Sequence, residues 1–213
     1  MNGPDPRRGP GEGGRFVFLA LTGMALLGCD LVSGDEPLPR LGKAPTVRLL
    51  DQNGAPFVPQ EAMAGEVWVA NFVFTSCRTV CPMLSSRMRT LQGALGDRGL
   101  RSVSFSVDPT IDTPARLRRY AERFDADLDR WTFVTGSPEA MRSAVVDGFK
   151  VYYGNPGPLA DPPPDAPEDA YDIPHATHFV LVDRTGTIRG YYRDDPDAQR
   201  QLEEDARRLL QAD

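Results

Sequence analysis

Val67–Leu84 reads VWVANFVFTSCRTVCPML. Its first eight residues, VWVANFVF, are β-branched, aromatic and almost continuously apolar, the pattern of a strand buried on both faces. Beyond Pro82, Leu84, Met88, Leu91 and Leu95 recur at spacings of four, three and four, the stripe of a helix with one buried face. Between the two lie Cys77 and Cys81, two of the chain's three cysteines. The pattern therefore predicts a strand that ends in a dithiol at a helix N-terminus.

Working outward, TVRLLDQNG (46–54) reads as a short strand closed by an Asn-Gly turn. RSVSFSV (101–107) is a second central strand, and DTPARLRRYAERF (112–124) a helix capped by Asp112 or Thr113 with Pro114 in its first turn. WTFVTG (131–136) and SPEAMRSAVVDGF (137–149) repeat the strand-then-helix pattern, with Ser137 as cap. Residues 154–172 form a polar loop too proline-rich for regular structure. HFVLVDRTGTIRGYY (178–192) is a hairpin around Arg184-Thr185-Gly186, and Asp195-Pro196 opens a last helix to about Gln211. Strands alternating with helices imply an α/β sandwich, a mixed sheet with a largely parallel centre flanked by helices. A dithiol at the end of its first central strand makes the expected arrangement thioredoxin-like.

The chain has 213 residues, 25% charged and 40% apolar, with a formal charge of -6. This suits one globular domain with extensions. An acidic balance argues against a nucleic-acid partner, whose phosphates demand a basic face. Residues 1–15 carry Arg7, Arg8 and Arg15, and the run Phe16–Leu27 is predominantly apolar. That run is shorter than the about 20 residues needed to span hydrocarbon and has the size of a secretory h-region behind a positive n-region. Leu26-Leu27-Gly28-Cys29 resembles the bacterial lipobox, whose cysteine becomes lipidated. Residues 1–28 are thus expected to be a lipoprotein signal peptide, 29–44 a tether and 45–213 the folded domain. Residues 1–28 hold three arginines and two carboxylates, a net +1, so the remainder carries -7. The expected location is the bacterial cell envelope, lipid-anchored through Cys29, with the domain on the extracytoplasmic side where disulfides persist. Cys77 and Cys81 are then the candidate thiol pair.

At a helix start, unsatisfied N–H groups and the dipole favour anions and lower a thiol's pKa. Arg78, between the cysteines, adds charge in the same sense. A thiolate is both nucleophile and soft-metal ligand, so the pair alone leaves disulfide exchange, metal binding and a structural staple open. The histidines, His175 and His178, both lie in DIPHATHFVLVD, at the entry to the strand expected beside the dithiol strand. Two thiolates and one imidazole would make a soft, low-coordinate set suited to copper, above all Cu(I). Zinc usually takes a fourth ligand.

FVFTSCRTVCP, FSVDPTIDTPARLRRYAERF and HATHFVLVDRTGTIRGYY together resemble the SCO/SenC family, with similarity from about Pro45 to Tyr192. The resemblance implies a thioredoxin-like, membrane-tethered protein linked to copper delivery for cytochrome c oxidase assembly. The family's copper ligands are the two motif cysteines and a histidine eight residues before the Asp that closes the strand. Counted back from Asp183, these are Cys77, Cys81 and His175, and not His178. Pro174-His175-Ala176 stands where the family commonly has Asp-His-Ser/Thr, and Arg78 replaces a frequent proline. Asp108 belongs to the Ser-Val-Asp-Pro signature and reads as a turn or cap residue.

Thioredoxin-like reductases place a proline facing the dithiol; the corresponding residue here is Thr177, which weakens a general exchange role without removing it. Peroxiredoxins carry Pro-x-x-x-Thr-x-x before their cysteine, but the matching positions are Ala70 and Phe74. The sequence reading is a lipid-anchored copper-binding assembly factor, not an enzyme in the turnover sense. Its cargo would be Cu(I), with Cu(II) a further state, and its partner the copper-site subunit of cytochrome c oxidase or another copper acceptor. The alternative is an extracytoplasmic thiol–disulfide oxidoreductase or redox sensor, with Cys77 and Cys81 as the redox disulfide. The 154–172 loop leads into His175 and is placed to move as that ligand engages.

Overall fold

The computed structural model describes residues 37–158 and 171–212. The expected signal peptide, Cys29, the expected tether as far as residue 36 and the middle of the 154–172 loop lie outside the described residues.

In chain order, β1 (Gly42–Lys43), β2 (Leu49–Asp51) and β3 (Pro56–Phe57) precede the short helix α1 (Pro59–Ala62). β4 (Trp68–Val73), α2 (Val80–Leu95), β5 (Arg101–Ser106), α3 (Pro114–Arg123), β6 (Trp131–Thr135) and α4 (Pro138–Arg142) then alternate. α4 widens into a π-helical turn over Ser143–Gly148, where Phe149 N donates to Ala144 O at 3.0 Å. β7 (Gly157–Pro158) and β8 (Tyr171–Asp172) stand at the two ends of the long loop. β9 (Phe179–Val182), β10 (Thr187–Tyr192) and α5 (Pro196–Gln211) complete the domain.

The main sheet runs β1-β10-β9-β4-β5-β6-β2-β3. β4, β5 and β6 are parallel, as helical crossovers require, and the flanking pairs are antiparallel. The mixed sheet with a parallel centre expected from the sequence is thus present. All six residues of β4 are buried. The Ser/apolar alternation of β5 does not mark a solvent face: Ser102, Ser104 and Ser106 are as buried as Val103 and Phe105. Both faces of this strand are covered, so Ser104 Oγ instead donates to Asn71 Oδ1 at 2.6 Å and accepts from Trp131 Nε1 at 2.8 Å. On α2, Leu84, Met88, Leu91 and Leu95 face the core as the periodicity predicts.

The β9–β10 hairpin closes through Asp183, whose Oδ1 accepts from the amides of Thr185 and Thr187, with Gly186 at φ 72°. Arg189 pairs with Asp183 at 2.8 Å. The β2–β3 turn is built alike: Asp51 Oδ1 accepts from the amides of Asn53 and Ala55, and Gly54 has φ 80°. Thr113, Ser137 and Asp195 cap α3, α4 and α5.

Two segments depart from the sequence expectation. Residues 37–44, read as the end of the tether, lie on the sheet: β1 pairs with β10, and Arg189 holds the carbonyls of Leu38 and Pro39. Backbone pairing needs no apolar periodicity, so no hydropathy pattern marks it. The ends of the 154–172 loop also pair, Gly157 opposite Asp172 and Pro158 opposite Tyr171. Among the described residues, no helix is long and apolar enough to cross a membrane.

Candidate metal and thiol centre

β4 lies between β5 and β9. Because β5 is parallel to β4 and β9 antiparallel, three segments meet at one end of the sheet: the exits of β4 and β5 and the entry to β9. The carboxyl edge of parallel strands is where α/β folds place their sites. Here it gathers the dithiol, the 107–112 turn and the 173–178 segment.

Cys77 sits in the turn leaving β4, its N–H donating to Phe74 O at 3.2 Å. It is 8% exposed, Cys81 is fully buried, and both are free thiols. Thr79, which precedes the first residue of α2, supplies no side-chain cap. The Cys77 sulfur takes that part, accepting from Cys81 N at 3.3 Å. The Cys77 pKa is lowered to about 5, first by the hydrogen bond from the Cys81 thiol and then by backbone N–H groups of Cys81 and Thr79, with burial opposing. Cys81 moves strongly upward, through that same hydrogen bond, burial and the charge on Cys77. The pair therefore keeps one proton on Cys81 and the negative charge on Cys77. Arg78 is exposed, and the largest lowering causes are the second thiol and the N–H groups at the start of α2.

His175 is held by backbone. It bridges Tyr153, with Gly154 N donating to Pro174 O at 2.7 Å and Ala176 N to Tyr152 O at 3.1 Å. Its Nδ1 lies 2.6 Å from Ile173 O. A carbonyl only accepts, so Nδ1 is the donor, and the tautomer this selects has its lone pair on Nε2. Nε2 is 3.8 Å from Cys81 Sγ, and the ring meets Phe74 edge-on at 5.8 Å. A backbone carbonyl on one ring nitrogen is the usual support for a metal ligand on the other. His178, just before β9, makes no hydrogen bond to either cysteine, and burial lowers its pKa. The contacts run in series, Cys77 to Cys81 to His175. Among the described residues, no three Cys, His or carboxylate side chains are already gathered at the distances of a closed metal site.

Two buried carboxylates support this end of the sheet. Asp112 is completely buried and accepts from Thr75 N at 3.2 and 3.1 Å, from Thr75 Oγ1 at 2.5 Å and from Ser106 Oγ at 2.7 Å. Burial raises its pKa. Thr113 is the helix cap, and Asp112 instead ties the dithiol loop to β5. Asp108, 3% exposed, accepts from Thr110 Oγ1 at 2.9 Å and from the Tyr171 hydroxyl. Tyr171 in turn stacks on Phe74 at 5.9 Å.

Residues 42–211 match the family described as SCO1/SenC. The chain belongs to the SCO1/SenC family. The SCO1 protein homolog of Bacillus subtilis is 33% identical over 134 residues, 62% of this chain and 64% of that protein. This chain therefore spans just under two thirds of that relative's length. A protein of Stutzerimonas stutzeri named as a putative copper-binding protein is 31% identical over 160 residues, 73% of this chain and 72% of its own. Among solved structures, BsSco, described as a member of the Sco family of cytochrome c oxidase assembly proteins and as holding a disulfide switch, is similar with a TM-score of 0.66. It is 26% identical, with 84% of this chain and 98% of that one covered.

In this SCO1/SenC chain the fold brings Cys77, Cys81 and His175 into one chain of contacts and leaves His178 aside. Two sulfurs and one imidazole nitrogen are a soft donor set that fits Cu(I). Tyr171 was not singled out in the sequence, and Phe74 was weighed there only against the peroxiredoxin pattern. A lone aromatic in a Pro/Asp-rich loop is the signal that would have flagged Tyr171.

Proposed function

We propose that this SCO1/SenC protein binds copper through Cys77, Cys81 and His175 and serves cytochrome c oxidase assembly, either by handing copper to the oxidase's copper-site subunit or by reducing that subunit's ligand cysteines. The observation that carries the reading is the His175 ring: its Nδ1 proton is spent on Ile173 O, while Nε2 faces the sulfur of Cys81. That orientation leaves Nε2 beside the sulfur, where a third ligand would have to stand. The copper-binding name of one relative and the oxidase-assembly description of another agree with it.

In this reading Cys77 and Cys81 start reduced, the ion is cargo, and oxidation of the pair would switch binding off. The lipobox-like Leu26-Leu27-Gly28-Cys29 supports a lipid-anchored protein whose domain, from about residue 45 in the sequence reading, faces the extracytoplasmic side. Thiol–disulfide exchange is the second reading. It is favoured by the division of labour in the pair, since a slightly exposed anionic Cys77 can attack and a buried protonated Cys81 can resolve.

Copper titration of the reduced full chain tests the first reading. One ion per chain is expected, lost in Cys77→Ser or Cys81→Ser. Affinity should fall more than about tenfold, about 1.4 kcal/mol or more, in His175→Ala, with His178→Ala near wild type. Copper binding indifferent to His175 would leave the thiol chemistry standing alone.

A further inference from the structure

We propose that the arginine face of α3 is the docking surface for an acidic protein partner of the dithiol. This rests on the reading that Cys77 is the group a partner must reach. The chain is acidic overall, at -6, yet the ten residues of α3 hold Arg116, Arg118, Arg119 and Arg123 against Glu122 alone. Arg118 is engaged on its own side, with Asn53 Oδ1 at 2.5 Å and Glu122 at 3.8 Å. The other three are exposed and line an open cleft of about 630 Å³ with Thr75, Tyr120 and Glu122. Among the described residues, none of the three has a carboxylate within ion-pair distance.

The cleft adjoins the thiol loop. Arg116 donates to Thr75 Oγ1 at 3.3 Å and Ser76 Oγ at 3.4 Å, and Arg123 donates to Thr75 O at 3.4 Å while lying over the Tyr120 ring at 5.0 Å. Ser76 directly precedes Cys77. Guanidinium forks bind carboxylates bidentately, and a basic patch on an otherwise acidic molecule orients an acidic partner during encounter. An acidic surface seated here would bring its own thiols or copper ligands beside the Cys77 sulfur. An anionic membrane could meet the same charges, but lying on this face it would cover the thiols. A protein partner is therefore the occupant.

The test uses two symmetrical peptide disulfides that differ only in flanking residues, one Glu-rich and one Lys-rich, reacted with the reduced full chain. The Cys77 thiolate attacks the peptide disulfide and expels one peptide thiolate. Cys81 then displaces the second, so the pair is oxidised as two peptide thiols are released. At about 20 mM salt the Glu-rich peptide should react roughly tenfold faster despite the net negative charge, and the difference should collapse by about 0.5 M. Arg119→Glu, at a side chain with no hydrogen bond or ion pair among the described residues, should reduce the preference, and the double variant with Arg123→Glu should reverse it. Equal rates, a Lys-rich preference, no reaction with either peptide, or a preference that survives in the variants would overturn the proposal. Phosphatidylglycerol vesicles that shield the thiols from both peptides, with shielding lost in the variants, would overturn it in favour of a membrane face. Copper titration of the same variants separates this result from the metal reading, because unchanged stoichiometry there leaves Cys77, Cys81 and His175 untouched.

Discussion

At the scale of single residues, the two cysteines differ in kind. Cys77 is the acceptor at the start of α2 and carries the charge; Cys81 is buried, keeps the proton and touches His175. Thiolate absorbance of the reduced chain should therefore show one ionisation near pH 5, with the second suppressed through neutrality. Cys81→Ala removes the largest cause of the lowering, so the Cys77 pKa should rise and its alkylation near about pH 6 should slow. The linkage has a definite sign. A thiol lowered from 9.0 to about 5 stabilises the folded state most at about pH 9, and that contribution is lost as pH falls through 5. The raised Cys81 works the other way above about pH 9, where the unfolded thiol ionises and the folded one does not. Urea unfolding of the reduced chain should thus show stability rising from pH 5 towards 9 and then turning down. The motif made a reactive pair readable in the sequence. Which thiol holds the proton follows from their depth and mutual contact, which spacing does not encode.

At the scale of elements, the arm that carries His175 is held from both sides. Its backbone pairs with Tyr152–Gly154, and its first residue, Tyr171, is tied to Asp108 on the β5 exit and packed on Phe74 at the β4 exit. Tyr171→Phe keeps the ring and removes the hydroxyl that Asp108 accepts. Hydrogen exchange in 171–176 should quicken, and copper affinity should fall about tenfold, the size of loss typical when a ligand's support is removed. Fluorescence or calorimetric titration of the variant beside wild type checks it. Asp112→Ala strips Thr75 and Ser106 of their acceptor at a fully buried position and should cost about 2–3 kcal/mol of stability, read by denaturant unfolding. The strands and helices themselves were readable, because α2 and β4 announce themselves by period and composition. The pairing of residues 42–43 and of the loop ends was not, since it rests on backbone hydrogen bonds between segments with no pattern of their own.

At the scale of the whole molecule, the π-helical turn after α4 sets Phe149 against three aromatic rings. Its ring lies 6.0 Å from Trp68, 5.6 Å from Phe72 and 5.0 Å from Phe105, so one side chain joins a helix to β4 and β5 beneath the site. Phe149→Ala should cost about 3–5 kcal/mol and lower Tm by roughly 10 °C in a domain of this size, as scanning calorimetry would show. Charge also acts at this scale. A net charge of -6 is too mild to identify a partner, whereas the surface beside the thiols concentrates arginines that have no carboxylate at ion-pair distance among the described residues, the basis of the acidic partner proposed above. Net charge sums over the molecule, but a partner meets only the patch it touches.

The sequence alone determined the order of strands and helices, the buried dithiol strand, the caps and the candidate donors, because each depends on residues close in the chain: hydrophobic period, turn chemistry and motif spacing. Only the tertiary structure decided that Cys81 lies between Cys77 and His175, that the imidazole presents Nε2, and that the Asp108–Tyr171 bond braces the arm. The Cys81–His175 and Tyr171–Asp108 contacts join residues 94 and 63 positions apart, and nothing local sets their distance. They exist because β9 returns antiparallel beside β4 and brings its entry to the end of the strand that carries the thiols.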